Sequence, residues 1–155
     1  MNGLWWAALL SMTPIVEMQG GIPVALASGA SPLTAFVVCV IANLLVMPIL
    51  FFFLEEIHHR FLHVKGYQSL FDKFMERIRR KVHPLVEKYG IYGLIVLVAL
   101  PGPGTGVYTA TVASWFFGLK KRKAYLAISV GMVIAASLVL AVSLGVMNGW
   151  KFLAG

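Results

Sequence analysis

The chain alternates between long apolar runs and short polar breaks, and the runs come in two kinds. Leu33 to Leu54 and Ala124 to Met147 are 22 and 24 residues without a charge, each long enough to cross a bilayer as one helix. The other two are interrupted. Leu4 to Thr13 is a ten-residue apolar arm that breaks at Pro14, Glu17, Gly20-Gly21 and Pro23 and resumes over Val24 to Ala30. Ile91 to Phe117 is 27 residues without a charge, yet Pro101-Gly102-Pro103-Gly104-Thr105-Gly106 near its middle holds five helix breakers in six positions, which no straight helix accommodates. Backbone groups released inside hydrocarbon must find partners within the protein or line a polar cavity. The pattern predicts two broken segments whose arms reach about 15 Å, half the hydrocarbon thickness. Such segments enter and leave on one face.

Between the halves lies Glu55 to Lys88, charged and amphipathic. Leu70, Phe71, Phe74, Met75, Ile78, Val82, Leu85 and Tyr89 recur at helical spacing opposite Lys73, Arg77, Arg80, Lys81 and Lys88, a pattern for a connector lying along the membrane interface. Pro84 divides it into two helices. Pro32 after Ser31 fits the first position of the Leu33 span, and Ala127, Gly131 and Ala135 form a small-residue face for close packing on the last one. Each half thus reads as arm, break, arm and full span: residues 4–54 and 91–148, joined by 55–89 within one membrane domain over 1–155.

Charge fixes the orientation. No Lys or Arg precedes Arg60, eight fall between Arg60 and Lys88, and four form Lys120-Lys121-Arg122-Lys123. Both basic blocks lie on the cytoplasmic side if Ile91 to Phe117 is re-entrant, and on opposite sides if it crosses. The expected fold is therefore an all-α integral membrane protein of the inner (plasma) membrane, multi-pass, with an inverted-topology repeat. Each half is a re-entrant helical hairpin plus one transmembrane helix. The linker 55–89 and residues 118–123 are cytoplasmic, and both termini are outside.

Composition agrees. Hydrophobic residues make up 59% of 155 positions and mean hydropathy is +0.84, which excludes an ordinary soluble domain. The +7 formal charge reads as a topology determinant facing anionic lipid, and no nucleic-acid partner is expected. Leu4 to Val16 resembles the apolar part of a signal peptide and Ala25-Leu26-Ala27 a cleavage site. No basic region precedes them and Glu17 with Gly20-Gly21 interrupts the run, so a retained membrane segment is expected. Cys39 stands alone, so no intrachain disulfide forms.

Glu17 carries the sharpest candidate chemistry, as the one Asp, Glu, Lys, Arg or His inside any apolar segment. A lone carboxyl at that depth is costly and points to proton binding and release; its structural alternative is a lock that accepts from exposed backbone N–H groups. Gly20, Gly21, Gly102, Gly104 and Gly106 leave amides bare beside half-helix starts, where anionic head groups bind. Pro23, Pro101 and Pro103 shape the same breaks. Thr105, Tyr108 and Thr109, with Thr111, add hydroxyls, Asn43 an amide, and Gln19 stands beside the first break. His59 and His63 are four apart with His58 adjacent, but no further ligand completes a metal set, and they read as interfacial histidines. The Gly-rich run lacks the Lys-Ser/Thr ending of a phosphate-binding loop, and no hydrolase constellation is present. No cofactor, no metal and no enzymatic activity is expected.

Taken together, Glu17-Met18-Gln19-Gly20-Gly21-Ile22-Pro23, Ala42-Asn43 and Leu100-Pro101-Gly102-Pro103-Gly104-Thr105-Gly106-Val107-Tyr108-Thr109 resemble the small multi-drug export family, distantly related to the DedA (SNARE-associated) membrane proteins. The resemblance covers essentially the whole chain and implies a transporter-like fold with opposed re-entrant hairpins. The DedA relatives are associated with moving polyprenyl-phosphate and other lipids between leaflets. Two departures stand out: Gln19 replaces a frequent arginine, and the second hairpin holds no acid or Arg, so Glu17 is expected to work without a charged partner. The leading expectation is a transporter or flippase for an amphipathic substrate with a phosphate-type head group, coupled to protons through Glu17. The alternatives are a proton-coupled exporter of small hydrophobic cations and a non-transporting scaffold or scramblase component. Membrane lipids, a small amphipathic substrate and a second copy in a homodimer are the expected partners.

Overall fold

The computed structural model describes residues 2–58, 63, 65–100, 102 and 105–154, and among them the chain forms helices and no strands. Eight α-helices follow in order: α1 Asn2–Ser11, α2 Glu17–Ala27, α3 Pro32–Phe52, α4 Lys65–Lys81, α5 His83–Tyr89, α6 Ile91–Ala99, α7 Val107–Phe116 and α8 Lys121–Ala154. A π-helical turn, Phe53–Ile57, extends α3. Local chemistry sets several boundaries. Pro32 opens α3 with its φ already helical, and the Ser31 hydroxyl accepts the Thr34 N–H at 3.2 Å. Pro84 sits in the first turn of α5.

The first break lies earlier and is shorter than the breaker residues suggest. It spans residues 12–16, bridged by Thr13 Oγ1 donating to Leu10 O at 2.7 Å and by Glu17 N to Thr13 O at 3.0 Å. Gly20, Gly21 and Pro23 all lie inside α2. Their amides are correspondingly not bare: Gly20 N–H donates to Val16 O, and Pro23 has none. The physical reason is packing. α2 folds back onto α1, and a Cβ on Gly21 would sit 2.8 Å from Ala7 O and 3.2 Å from Ser11 Cβ. Glycine costs about 1 kcal/mol of helix propensity but permits this approach. At the other end of the pair, Gly3 of α1 abuts Ser28 beyond α2.

The second half is built differently: its two arms barely touch, and each packs mainly on a long helix. α6 and α7 lie on either side of the Pro/Gly break, of which Pro101, Pro103 and Gly104 fall outside the described residues. Packing between the halves is crossed. α1 packs on α3 and α6 on α8, while α2 also touches α8 and α7 touches α3. The predicted small-residue face does meet a neighbour: Ala127, Gly131 and Ala135 are buried, and a Cβ on Gly131 would lie 2.7 Å from Ile95 O. Gly131→Ala is therefore expected to destabilise by about 1–3 kcal/mol through overpacking, read as a lower thermal midpoint in detergent. Gly145, on the same helix with open space around it, serves as the neutral control.

The outer faces of α3 and α8 are apolar. Leu33, Val37, Ile41, Leu45, Ile49 and Phe52 form an exposed stripe on α3, and Leu126, Val130, Val133, Leu138, Val142 and Val146 one on α8. A helix apolar all round suits lipid rather than water. Pro32–Ile57 and Lys121–Gly149 are long and apolar enough to cross a membrane. The second runs on to Ala154, past the expected end at Met147, because Asn148 and Gly149 do not break it. The far end of the first apolar run meets the near end of the second: Lys121 Nζ lies 2.6 Å from Glu55 Oε2. On the connector, Phe71, Phe74, Met75, Ile78, Val82 and Leu85 face the core as the periodicity predicts, whereas Leu70 and Tyr89 are exposed.

Candidate functional site

The two breaks are tied to each other. α7 begins at Val107, and its first intrahelical bond is Ala110 N–H to Gly106 O, so the preceding amides need partners from outside the helix. The Glu17 carboxylate supplies one, interacting with the backbone N–H groups of Val107 and Tyr108. It caps α7 from another part of the chain and adds negative charge at the positive end of the helix dipole. In return, the Tyr108 hydroxyl donates to the carbonyl of Met12, just past the end of α1. Each break satisfies groups that the other leaves open.

Glu17 is held tightly. It is 5% exposed and adopts φ 48°, the one positive φ of a non-glycine residue among those described. That conformation costs about 1–3 kcal/mol and marks functional positions. Gly106 makes the approach feasible. Its φ is 127°, and a Cβ there would collide with the carboxyl, lying 2.8 Å from both Cδ and Oε1 of Glu17. One carboxyl oxygen, Oε2, is buried without a hydrogen-bond partner among the described residues.

Beside this tie lies a cavity of about 400 Å³. Glu17, Thr105, Tyr108 and Thr109 bring it polar groups from the two breaks. Leu50, Phe53 and Leu54 contribute an apolar wall from the end of α3. The third wall belongs to the connector helix α4, through Tyr67, Phe71, Phe74 and Arg77. Arg77 is an addition to the sequence reading, which finds no charged partner for Glu17 within the membrane segments and places Arg77 on the polar face of the connector. The connector folds over the site and places a guanidinium on the same cavity, though no ion pair joins the two. The signal for α4 was a stripe, Tyr67, Phe71, Phe74 and Ile78, one turn longer than the apolar run alone indicates.

The structure gathers some predicted residues and separates others. Glu17, Thr105, Gly106, Tyr108 and Thr109 converge. The Thr105 hydroxyl lies 2.8 Å from both Leu100 O and Gly102 O, so its proton closes the loop and is not offered to the cavity. Gln19 and Pro23 face elsewhere, lining a separate groove with Leu138, Val139, Val142 and Ser143 of α8. Gly20 and Gly21 serve helix contacts. Asn43 is fully buried, with neither amide atom partnered among the described residues, and does not line the cavity. His59 lies outside the described residues. His58, expected at an interface, is buried at 3% exposure.

Residues 17–138 match the family of small multi-drug export proteins. No curated protein and no solved structure matches the chain.

Proposed function

The chain belongs to the small multi-drug export protein family, and from that premise we propose that it exports small amphipathic cations in exchange for protons, with the Glu17 carboxyl as the shared site. The observation that carries this reading is a buried carboxyl with one oxygen unpartnered among the described residues, on a cavity otherwise walled largely by aliphatic and aromatic side chains. An isolated charge in such surroundings is costly. Either a proton or a bound cation relieves that cost, and one carboxyl cannot fully serve both. Competition of that kind is the basis of exchange. Phe53, Tyr67, Phe71 and Phe74 offer faces for an apolar body and for cation–π contact, and the volume falls in the range of small-molecule sites.

In this reading the Glu17 tie lies in the membrane interior, and the cavity opens from it toward the connector. Arms of 10, 11, 9 and 10 residues reach about half the hydrocarbon depth. The contact of Gly3 with Ser28 supports re-entry of the first pair, and the Lys121–Glu55 pair supports entry and exit of residues 56–120 on one face. The crossed packing of the halves supports an inverted repeat. Trp5 and Trp6, both exposed on α1, fit the interfacial belt of the outer face.

An anionic head group is the second reading, and Arg77 on the cavity wall is the observation in its favour. Against it, the α7 amides that would bind the head group already face Glu17. Purified protein in liposomes decides between them. Uptake of a cationic dye driven by a pH gradient is expected. Transbilayer movement of a phosphate-headed lipid without dye uptake would favour the second reading, and neither activity would refute transport.

A further inference from the structure

We propose that His58 is a second proton-handling residue of the cavity, acting through the hydroxyl of Tyr67. This rests on the cation–proton exchange read above. The π-helical turn Phe53–Ile57 places Phe53 and Leu54 on the cavity, while the residue that follows it, His58, is buried behind the cavity wall. π-Turns are frequent at functional sites because they shift side-chain register within a helix. The His58 ring is enclosed by Phe71, Trp115 and Tyr67, with centroids 4.2, 5.5 and 5.7 Å away. Its Nδ1 lies 2.8 Å from the Tyr67 hydroxyl, and Tyr67 lines the cavity that holds Glu17. A ring placed there for packing alone needs no polar atom. Among the described residues, this one spends its Nδ1 on the Tyr67 hydroxyl, and Tyr67 also lines the cavity.

The hydrogen bond reverses with the charge on the imidazole. In the neutral ring's Nε2–H tautomer, Nδ1 accepts the Tyr67 O–H, and the phenol turns its lone pairs to the cavity. When the ring is protonated, Nδ1–H donates to the Tyr67 oxygen, and the phenol O–H turns to the cavity as a donor. A proton moves inward when the Tyr67 oxygen takes one from the cavity as its own passes to Nδ1, and the reverse step returns it. Burial pushes the Tyr67 phenol above its ordinary value, so it passes protons without staying ionised. Aromatic faces favour the imidazolium. Among described residues, α4 presents Tyr67 and α7 presents Trp115 to the ring. The acids on its own helix, Glu55 and Glu56, are exposed, and Glu55 is paired with Lys121.

The test uses the full chain in liposomes and in detergent, with Tyr67→Phe, His58→Gln and Glu17→Gln. Loss of a hydrogen bond to the charged ring is expected to lower the His58 midpoint in a nitrogen-15 NMR titration of Tyr67→Phe by about one pH unit. The pH at half-maximal dye uptake shifts in the same direction, and His58→Gln removes that limb of the profile. A His58 titration indifferent to Tyr67→Phe overturns the proposal whatever transport does. So does an unchanged uptake profile in both variants while Glu17→Gln abolishes uptake, an outcome that leaves the exchange reading standing. Uptake surviving in Glu17→Gln removes the exchange reading, and this inference with it. Should His58→Gln fail to fold, Tyr67→Phe keeps every ring and still decides.

Discussion

Glu17→Gln is expected to yield a folded protein whose gradient-driven dye uptake falls by roughly a hundredfold or more, the scale on which loss of an acid–base group is felt. Glutamine matches glutamate in size, so the close fit against Gly106 survives. Its amide oxygen can still accept from the α7 amides. What disappears is the ability to trade a proton for a cation. The stability change is confined to the charge–dipole contribution at the α7 terminus, about 0.3–1 kcal/mol. Dye uptake in liposomes and thermal unfolding in detergent, measured on one preparation, separate these two effects. Uptake that persists at the wild-type rate places the exchange site elsewhere.

Gly106→Ala produces the largest structural effect. Two costs coincide at this position. The backbone at φ 127° and ψ −165° lies in a region nearly restricted to glycine, worth about 1–3 kcal/mol, and the new Cβ overlaps the Glu17 carboxyl, adding about 1–3 kcal/mol of overpacking. Together they predict roughly 2–5 kcal/mol of destabilisation and a thermal midpoint roughly 5–15 °C lower. The second cost depends on Glu17 and the first does not. Gly106→Ala is therefore expected to be less damaging in a Glu17→Ala background than alone, a coupling that a double-mutant cycle measures directly. Additive effects would mean that the two residues do not touch.

The helix pattern was legible in the sequence because apolar run length and its interruptions report directly on where long helices form and where they break. The spans, the ten-residue arms, the amphipathic connector and the singular position of Glu17 all follow from that physics. The first break was misplaced because Gly20, Gly21 and Pro23 disfavour helix by intrinsic propensity, whereas contact between α1 and α2 makes small residues there favourable. Tertiary packing overrides local preference. The partner of Glu17 was only partly legible. Bare amides near Gly106 were expected, but a carboxylate from the other half occupying them has no signature in side-chain spelling. In the proposed function that occupancy is the reason for favouring a cation over an anion. Arg77, Tyr67 and His58 were obscured for another reason. Spacing shows that a connector has an apolar face, but not which cavity the face covers.

The central claim is that two short helix pairs dip from opposite faces and meet at Glu17 in the interior of the bilayer. Its most direct test is sided labelling of single cysteines placed at Ser31, Lys73 and Lys121, in a Cys39→Ala background so that each variant carries one thiol. Lys73→Cys and Lys121→Cys are expected to react with an impermeant reagent from the same side, and Ser31→Cys from the other. Labelling of the Lys73 and Lys121 positions from different sides would make Ile91 to Phe117 a crossing segment and contradict the claim.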